Sequence, residues 1–169
     1  GGEVAVSAVY DFGTGFTAAF GAQTTENSVF TAESDDKYAF NAAYTGDNYG
    51  VSITYGVGDD GDETDTATAF NAYYLPDSTG LPSLSVGYEI VDLGGHASTA
   101  DELTSFMVGL TWDEVGPGSA GIALGHSSTT EGDDEEYQYE AYYSYPINDG
   151  MTITPLIYSK DNTTSGADD

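Results

Sequence analysis

Hydrophobic residues recur at every second position along most of this chain. Tyr137, Tyr139, Ala141, Tyr143, Tyr145 and Ile147 do so ahead of Asn148-Asp149-Gly150, and Met151, Ile153, Pro155 and Ile157 do so after it. A period of two is that of a β-strand, whose side chains alternate between faces. The same pattern predicts strands at about 3–12, 16–23, 37–45, 49–57, 67–75, 83–91, 105–114, 119–127, 137–147 and 151–160. No segment has helical spacing. The expected fold class is all-β, an antiparallel up-and-down meander of about ten strands.

The connections alternate as well. Gly13-Thr14-Gly15, Thr45-Gly46-Asp47-Asn48, Pro76 to Pro82, Gly116-Pro117-Gly118 and Asn148-Asp149-Gly150 are turns rich in Gly, Pro, Asn and Asp. The intervening connections, 24–36, 58–66, 92–104 and 128–136, are longer and polar. A meander with this rhythm has one end of short turns and one of long loops.

Within the strands, one parity collects the large apolar residues: Val4/Val6/Tyr10/Phe12, Phe16/Phe20, Tyr38/Phe40/Tyr44, Tyr49/Val51/Ile53/Tyr55, Leu84/Val86/Tyr88/Ile90, Phe106/Val108/Leu110/Trp112 and Ile122/Leu124. This is face one. Face two holds mostly Ser, Thr, Gly, Ala and Asn, together with the charges expected inside strands: Glu3, Asp11, Lys37, Glu89, Asp113, Glu140 and Lys160. Glu114, beside a turn, is the one exception to that parity. Tyr73, Tyr142 and Tyr158 also belong to face two.

Charge sharpens the reading. There are 29 acidic residues against two lysines, for a formal net charge of −27. Phosphate contacts need Lys and Arg, so the charge argues against nucleic acid as a partner. Twenty of the acids fall in the long connections and the tail, so the long-loop rim is strongly negative. Such a charge with low hydrophobicity also fits disorder, but 13% aromatic residues and clear alternation favour ordered strands. Cysteine is absent, which removes disulfides and thiolate metal sites. No signal peptide opens the chain, and no apolar run approaches the roughly 20 residues of a spanning helix, so a membrane role would fall to strands.

A soluble β-sandwich alternates too, but its outer faces carry mixed Lys, Arg and Glu, more charge than face two has. A transmembrane barrel turns face one to lipid and face two to a lumen, with aromatic girdles at both interfaces and loops long on one side only. Tyr10, Phe12, Phe16, Tyr44, Tyr49, Trp112 and Tyr145 lie near the short turns. Phe20, Tyr38, Tyr55, Phe70, Tyr88, Phe106 and Tyr137 lie near the long loops. Two belts are expected of part of a transmembrane β-barrel. Both chain ends fall on the long-loop side, so the chain is expected to lack at least one strand at each end. A water-filled channel also takes roughly 16 to 18 strands.

Three stretches carry a family resemblance: Ala72-Tyr73-Tyr74-Leu75-Pro76-Asp77 with 80–89, Val108-Gly109-Leu110-Thr111-Trp112-Asp113-Glu114-Val115-Gly116-Pro117-Gly118, and Glu140-Ala141-Tyr142-Tyr143 through Tyr145-Pro146-Ile147-Asn148-Asp149-Gly150 to Pro155. From about Tyr38 to Asp161 the chain resembles the C-terminal part of cyanobacterial outer-membrane porins of the OprB-like group, also labelled iron-uptake or carbohydrate-selective porins, with the marine picocyanobacterial versions closest. The resemblance implies an outer-membrane location, with lipid around the barrel and passive diffusion of ions, iron or sugars through it. It also implies that residues 1–169 are a partial porin β-barrel domain, without the N-terminal strands, the S-layer-homology domain, the helical linker or the final strand. A homotrimer of the complete protein is compatible with it, though no residue argues for one.

Site chemistry follows from the charges. His96 lies in a long loop and His126 on face one, so no Ser/His/Asp set is suggested and enzyme activity is not expected. The run Asp59-Asp60-Gly61-Asp62-Glu63 does not place Gly and Glu as an EF-hand requires. Weak Ca²⁺ or Mg²⁺ binding at Asp59, Asp60, Asp62, Asp133 and Asp134 is the only cofactor-like expectation, set against a simply solvated loop. On face two, Glu3, Asp11, Glu89, Asp113 and Glu140 outnumber Lys37 and Lys160 by three, an excess that favours cations in a low-dielectric tube. The alternative is that these carboxylates only solvate the wall. The inward tyrosines suit sugar stacking or cross-strand packing. The rival to a porin is a soluble, acidic β-sheet adhesion or binding module at the cell surface.

Overall fold

The computed structural model describes residues 4–24, 36–59, 63–78, 80–94, 102–130 and 136–161. These form eleven strands: β1 (Val4–Asp11), β2 (Phe16–Thr24), β3 (Asp36–Thr45), β4 (Tyr49–Asp59), β5 (Thr64–Tyr74), β6 (Ser83–Asp92), β7 (Glu102–Val115), β8 (Gly118–Thr130), β9 (Tyr137–Asn148), β10 (Met151–Ile153) and β11 (Leu156–Lys160). All lie in one antiparallel sheet in chain order, with β10 and β11 both against β9. No helix forms among the described residues. Among the described residues the sheet is not closed: β1 pairs only with β2, and β10 and β11 only with β9.

The expected tenth strand is thus two strands in one line. Ile153 pairs with Tyr145 and Leu156 with Tyr142, which is a single register interrupted at Thr154-Pro155. Tyr143 N donates to Pro155 O at 3.2 Å, but Pro155 has no N–H to return the bond. At other ends the strands outrun the apolar alternation. β5 begins at Thr64 and β7 at Glu102, while β8 runs on to Thr130.

The turn side is held by local polar bonds. Asp11 Oδ1 accepts from Gly13 N at 2.8 Å and Asn148 Oδ1 from Gly150 N at 2.9 Å, the side chain standing in for a backbone turn acceptor in each case. Asn48 ties two turns together. Its Nδ2 donates to Leu75 O at 3.1 Å and to Asp77 Oδ1 at 2.6 Å, and its carbonyl accepts from Leu75 N at 2.6 Å.

Following cross-strand partners gives the sheet's inclination. One row runs Phe16, Tyr44, Val51, Ala72, Val86, Val108, Leu124, Tyr139. Phe16 opens β2 beside a short turn, whereas Tyr139 is the third residue of β9, nine before the short turn at Asn148. Over seven strand-to-strand steps this is about 1.3 residues each. With a rise of about 3.3 Å per residue and strands about 4.8 Å apart, the strands lean about 40° from the perpendicular to the line of turns.

The described residues bury almost no hydrophobic side chain. Among the described residues Ala22, at 7% exposure, is the only buried hydrophobic. Phe16, Phe40, Val51, Ile53, Phe70, Ile122 and Ile157 are all exposed. No second sheet covers them among the described residues, so the two facing layers of a sandwich are not formed.

Candidate functional site: the polar face and its rim

The register is regular from β1 to β7 and from β8 through β9 to β11, with bulges between β7 and β8, so the expected faces can be traced residue by residue. On face two, Asp11 pairs with Thr17, Lys37 with Gln23 and Gly58, Glu89 with Ala69 and Ser105, Glu140 with Ala123 and Tyr158, and Lys160 with Gln138. These charges share a face but do not converge. Among the described residues no group of three acids or histidines is placed to hold a metal. Glu3, Asp60, Asp62, Asp133, Asp134 and His96 lie outside the described residues.

Glu114, the apparent exception, is explained by a bulge. Trp112 pairs with Ala120 and Val115 with Gly118, so Asp113 and Glu114 together oppose Ser119. Parity resets there. Both carboxylates fall between two face-one residues.

Two features of the charge pattern depart from expectation. First, the longer strands bring acids onto the face-one parity at the long-loop end: Asp36 pairs with Asp59, and Asp92 with Glu102. Charges inside strands are therefore not confined to face two. The apolar alternation stops before these positions, so it gave no signal for them. Second, Asp65 joins face two, opposite Gly58, and its Oδ1 accepts from Gly94 N at 3.1 Å. At the same rim Lys160 Nζ lies 2.7 Å from Glu136 Oε2, with both side chains a third or more exposed.

The face-two tyrosines engage neighbouring strands. Tyr73 places its hydroxyl end over Gly50 and Tyr142 places its own over Gly121, each in the space a Cβ would occupy. Glycine at these positions is what lets the rings lie against the backbone. Tyr158 donates to Gln138 Oε1 at 3.2 Å. Glu140 and Tyr158, direct partners, line an open hollow of about 280 Å³ with Met107, Gly125 and Gln138.

Face one carries the aromatics in two groups. Near the short turns, Phe16 and Tyr44 have ring centroids 4.6 Å apart, Tyr44 and Tyr49 5.6 Å, and Tyr10 and Phe12 4.7 Å. Toward the long loops, Phe20 and Phe40 lie 5.0 Å apart, and His126 sits edge-on to Phe106 at 4.7 Å and 6.0 Å from Tyr137. His126 is buried among these rings.

Comparison with protein-family models, curated proteins and solved structures finds no match for this chain.

Proposed function

We propose that this chain forms part of an outer-membrane β-barrel porin through which small hydrophilic solutes diffuse passively, with a preference for cations. One observation carries the reading: in β4 the apolar side chains are the open ones. In β4, Tyr49, Val51, Ile53 and Tyr55 are exposed, while Gly50 is buried and Ser52, Thr54 and Gly56 are partly covered. Water opposes such an arrangement and lipid favours it.

Two further features support it. The inclination of about 40° falls within the roughly 35–45° tilt that closing a sheet into a barrel requires. The aromatics form one group near each rim, as interfacial girdles do. Closing the tube requires partners for β1 and β11, from further strands or another copy of the chain. The resemblance to cyanobacterial OprB-like porins rests on the sequence stretches alone and points to inorganic ions, iron or sugars as permeants.

The mechanism needs no turnover chemistry. A polar, small-residue wall leaves room for water, and Asp11, Asp65, Glu89, Asp113 and Glu140 against Lys37 and Lys160 bias the ions that enter. Detergent-purified protein should change its gel mobility on boiling and give stepwise conductance in a planar bilayer. Under a roughly tenfold KCl gradient the reversal potential should have the cation-selective sign. Protein that stays monomeric without detergent and never conducts would overturn the reading in favour of a soluble acidic surface module.

A further inference from the structure

At the long-loop end of face one, three oxygen-bearing side chains occupy one row on adjacent strands. Thr24 closes β2, Asp36 opens β3 and Asp59 closes β4; Thr24 pairs with Asp36, and Asp36 with Asp59. Carboxylates in this relation have Cβ atoms about 4.5–5.5 Å apart and repel.

At Asp36 exposure does not relieve the repulsion. Thr24 is 1% exposed and Asp36 6%. Neither Thr24 Oγ1 nor Asp36 Oδ1 has a hydrogen-bond partner among the described residues. The other oxygen of Asp36 accepts only a long bond from Tyr38 Oη, at 3.4 Å. A buried carboxylate with a bare oxygen beside another carboxylate is costly unless something positive joins it.

The chain offers little that is positive. Its basic residues are Lys37 and Lys160. Lys37 follows Asp36 but lies on the opposite face, against Gln23 and Gly58, and Lys160 is bonded to Glu136. The second acid pair, Asp92 with Glu102, is exposed on both sides and is met by water. Of these four carboxylates only Asp36 is buried.

We propose that Thr24, Asp36 and Asp59 bind a divalent cation, Ca²⁺ in preference to Mg²⁺, at the β2–β3–β4 rim. All three supply hard oxygen donors. Ca²⁺ accepts irregular oxygen shells at about 2.3–2.6 Å and takes the remainder from water, whereas Mg²⁺ demands near-octahedral geometry. Two carboxylates and one hydroxyl make a weak site, with a dissociation constant on the order of 10⁻⁴ to 10⁻³ M. The site does not depend on what face one is turned toward, so it stands or falls separately from the porin reading.

Two readouts on the purified full chain test it. The first is Tb³⁺ emission excited through tyrosine, with Tyr38 adjacent to the site, and its displacement by Ca²⁺. The second is the thermal unfolding midpoint with Ca²⁺ or with chelator. The wild-type chain should show one saturable component that Ca²⁺ displaces and a midpoint that rises with Ca²⁺. Asp36→Asn should lose both, and in chelator should unfold at a higher temperature than the wild type because the repulsion is gone. Thr24→Val should weaken Ca²⁺ binding by about tenfold, and Asp149→Asn, on a distant turn, should leave it unchanged. Wild-type protein without a saturable Ca²⁺ component would overturn the proposal, as would Asp36→Asn binding like wild type. If Asp36→Asn does not fold, unchanged affinity in Thr24→Val overturns it instead.

Discussion

At the scale of single residues, Gly50 and Gly121 decide how the polar face is finished. Each lies beneath the end of a tyrosine from the next strand, so a side chain at either position meets an aromatic ring. Gly121→Val should destabilise the folded protein by about 1–3 kcal/mol, as overpacking does. Pairing it with Tyr142→Ala should recover much of that loss, since the two effects share one space. Urea unfolding midpoints of the two single variants and the double variant measure this. These pairings were not legible in the sequence. Alternation assigns Tyr73 and Tyr142 to a face, but which glycine lies under each ring depends on register, and register emerges only when neighbouring strands are aligned.

At the scale of elements, strand positions were legible because large apolar residues mark every second site. Their ends were not. Thr64 to Thr66 and Ser128 to Thr130 continue β5 and β8 with β-branched or small polar residues that carry no apolar signal. Pro155 misled in the opposite sense: it keeps the side-chain pattern while removing the donor, so one apolar run contains two strands. Replacing it should join them. Pro155→Thr restores an N–H opposite Tyr143, and amide exchange at residues 154–157 should slow relative to the wild type. The short-turn rim provides a second test. Asn48→Ala removes two side-chain bonds, to Leu75 O and Asp77 Oδ1, at a site exposed to water. About 1 kcal/mol of stability should be lost, read from the unfolding midpoint.

At the scale of the molecule, charge and openness act together. A net charge of −27 over the whole chain is self-repelling, so adding NaCl from low ionic strength should raise the unfolding midpoint as the Debye length contracts. A midpoint insensitive to salt would mean that the acids are too far apart, or too well solvated, to strain the fold. Within the proposed pore the carboxylates have separable roles. Glu89→Gln and Glu140→Gln, in mid-strand positions on face two, should move the reversal potential toward zero. Glu136→Gln, at the rim and bound to Lys160, should move it less, since solvent screens this exposed pair. Equal shifts from all three would point to a general surface field in place of a selective wall.

The drift of the turns along the sheet also bears on how such a chain can change length. Each hairpin brings two strands together with its share of the stagger, so deleting or duplicating a hairpin changes strand number and stagger in roughly the same proportion. The lean of about 40° would survive either event, because it depends on their ratio. Girth would change while the height spanned stayed the same. A meander of this kind can therefore be resized two strands at a time by unequal recombination, without any need to redesign its two aromatic groups.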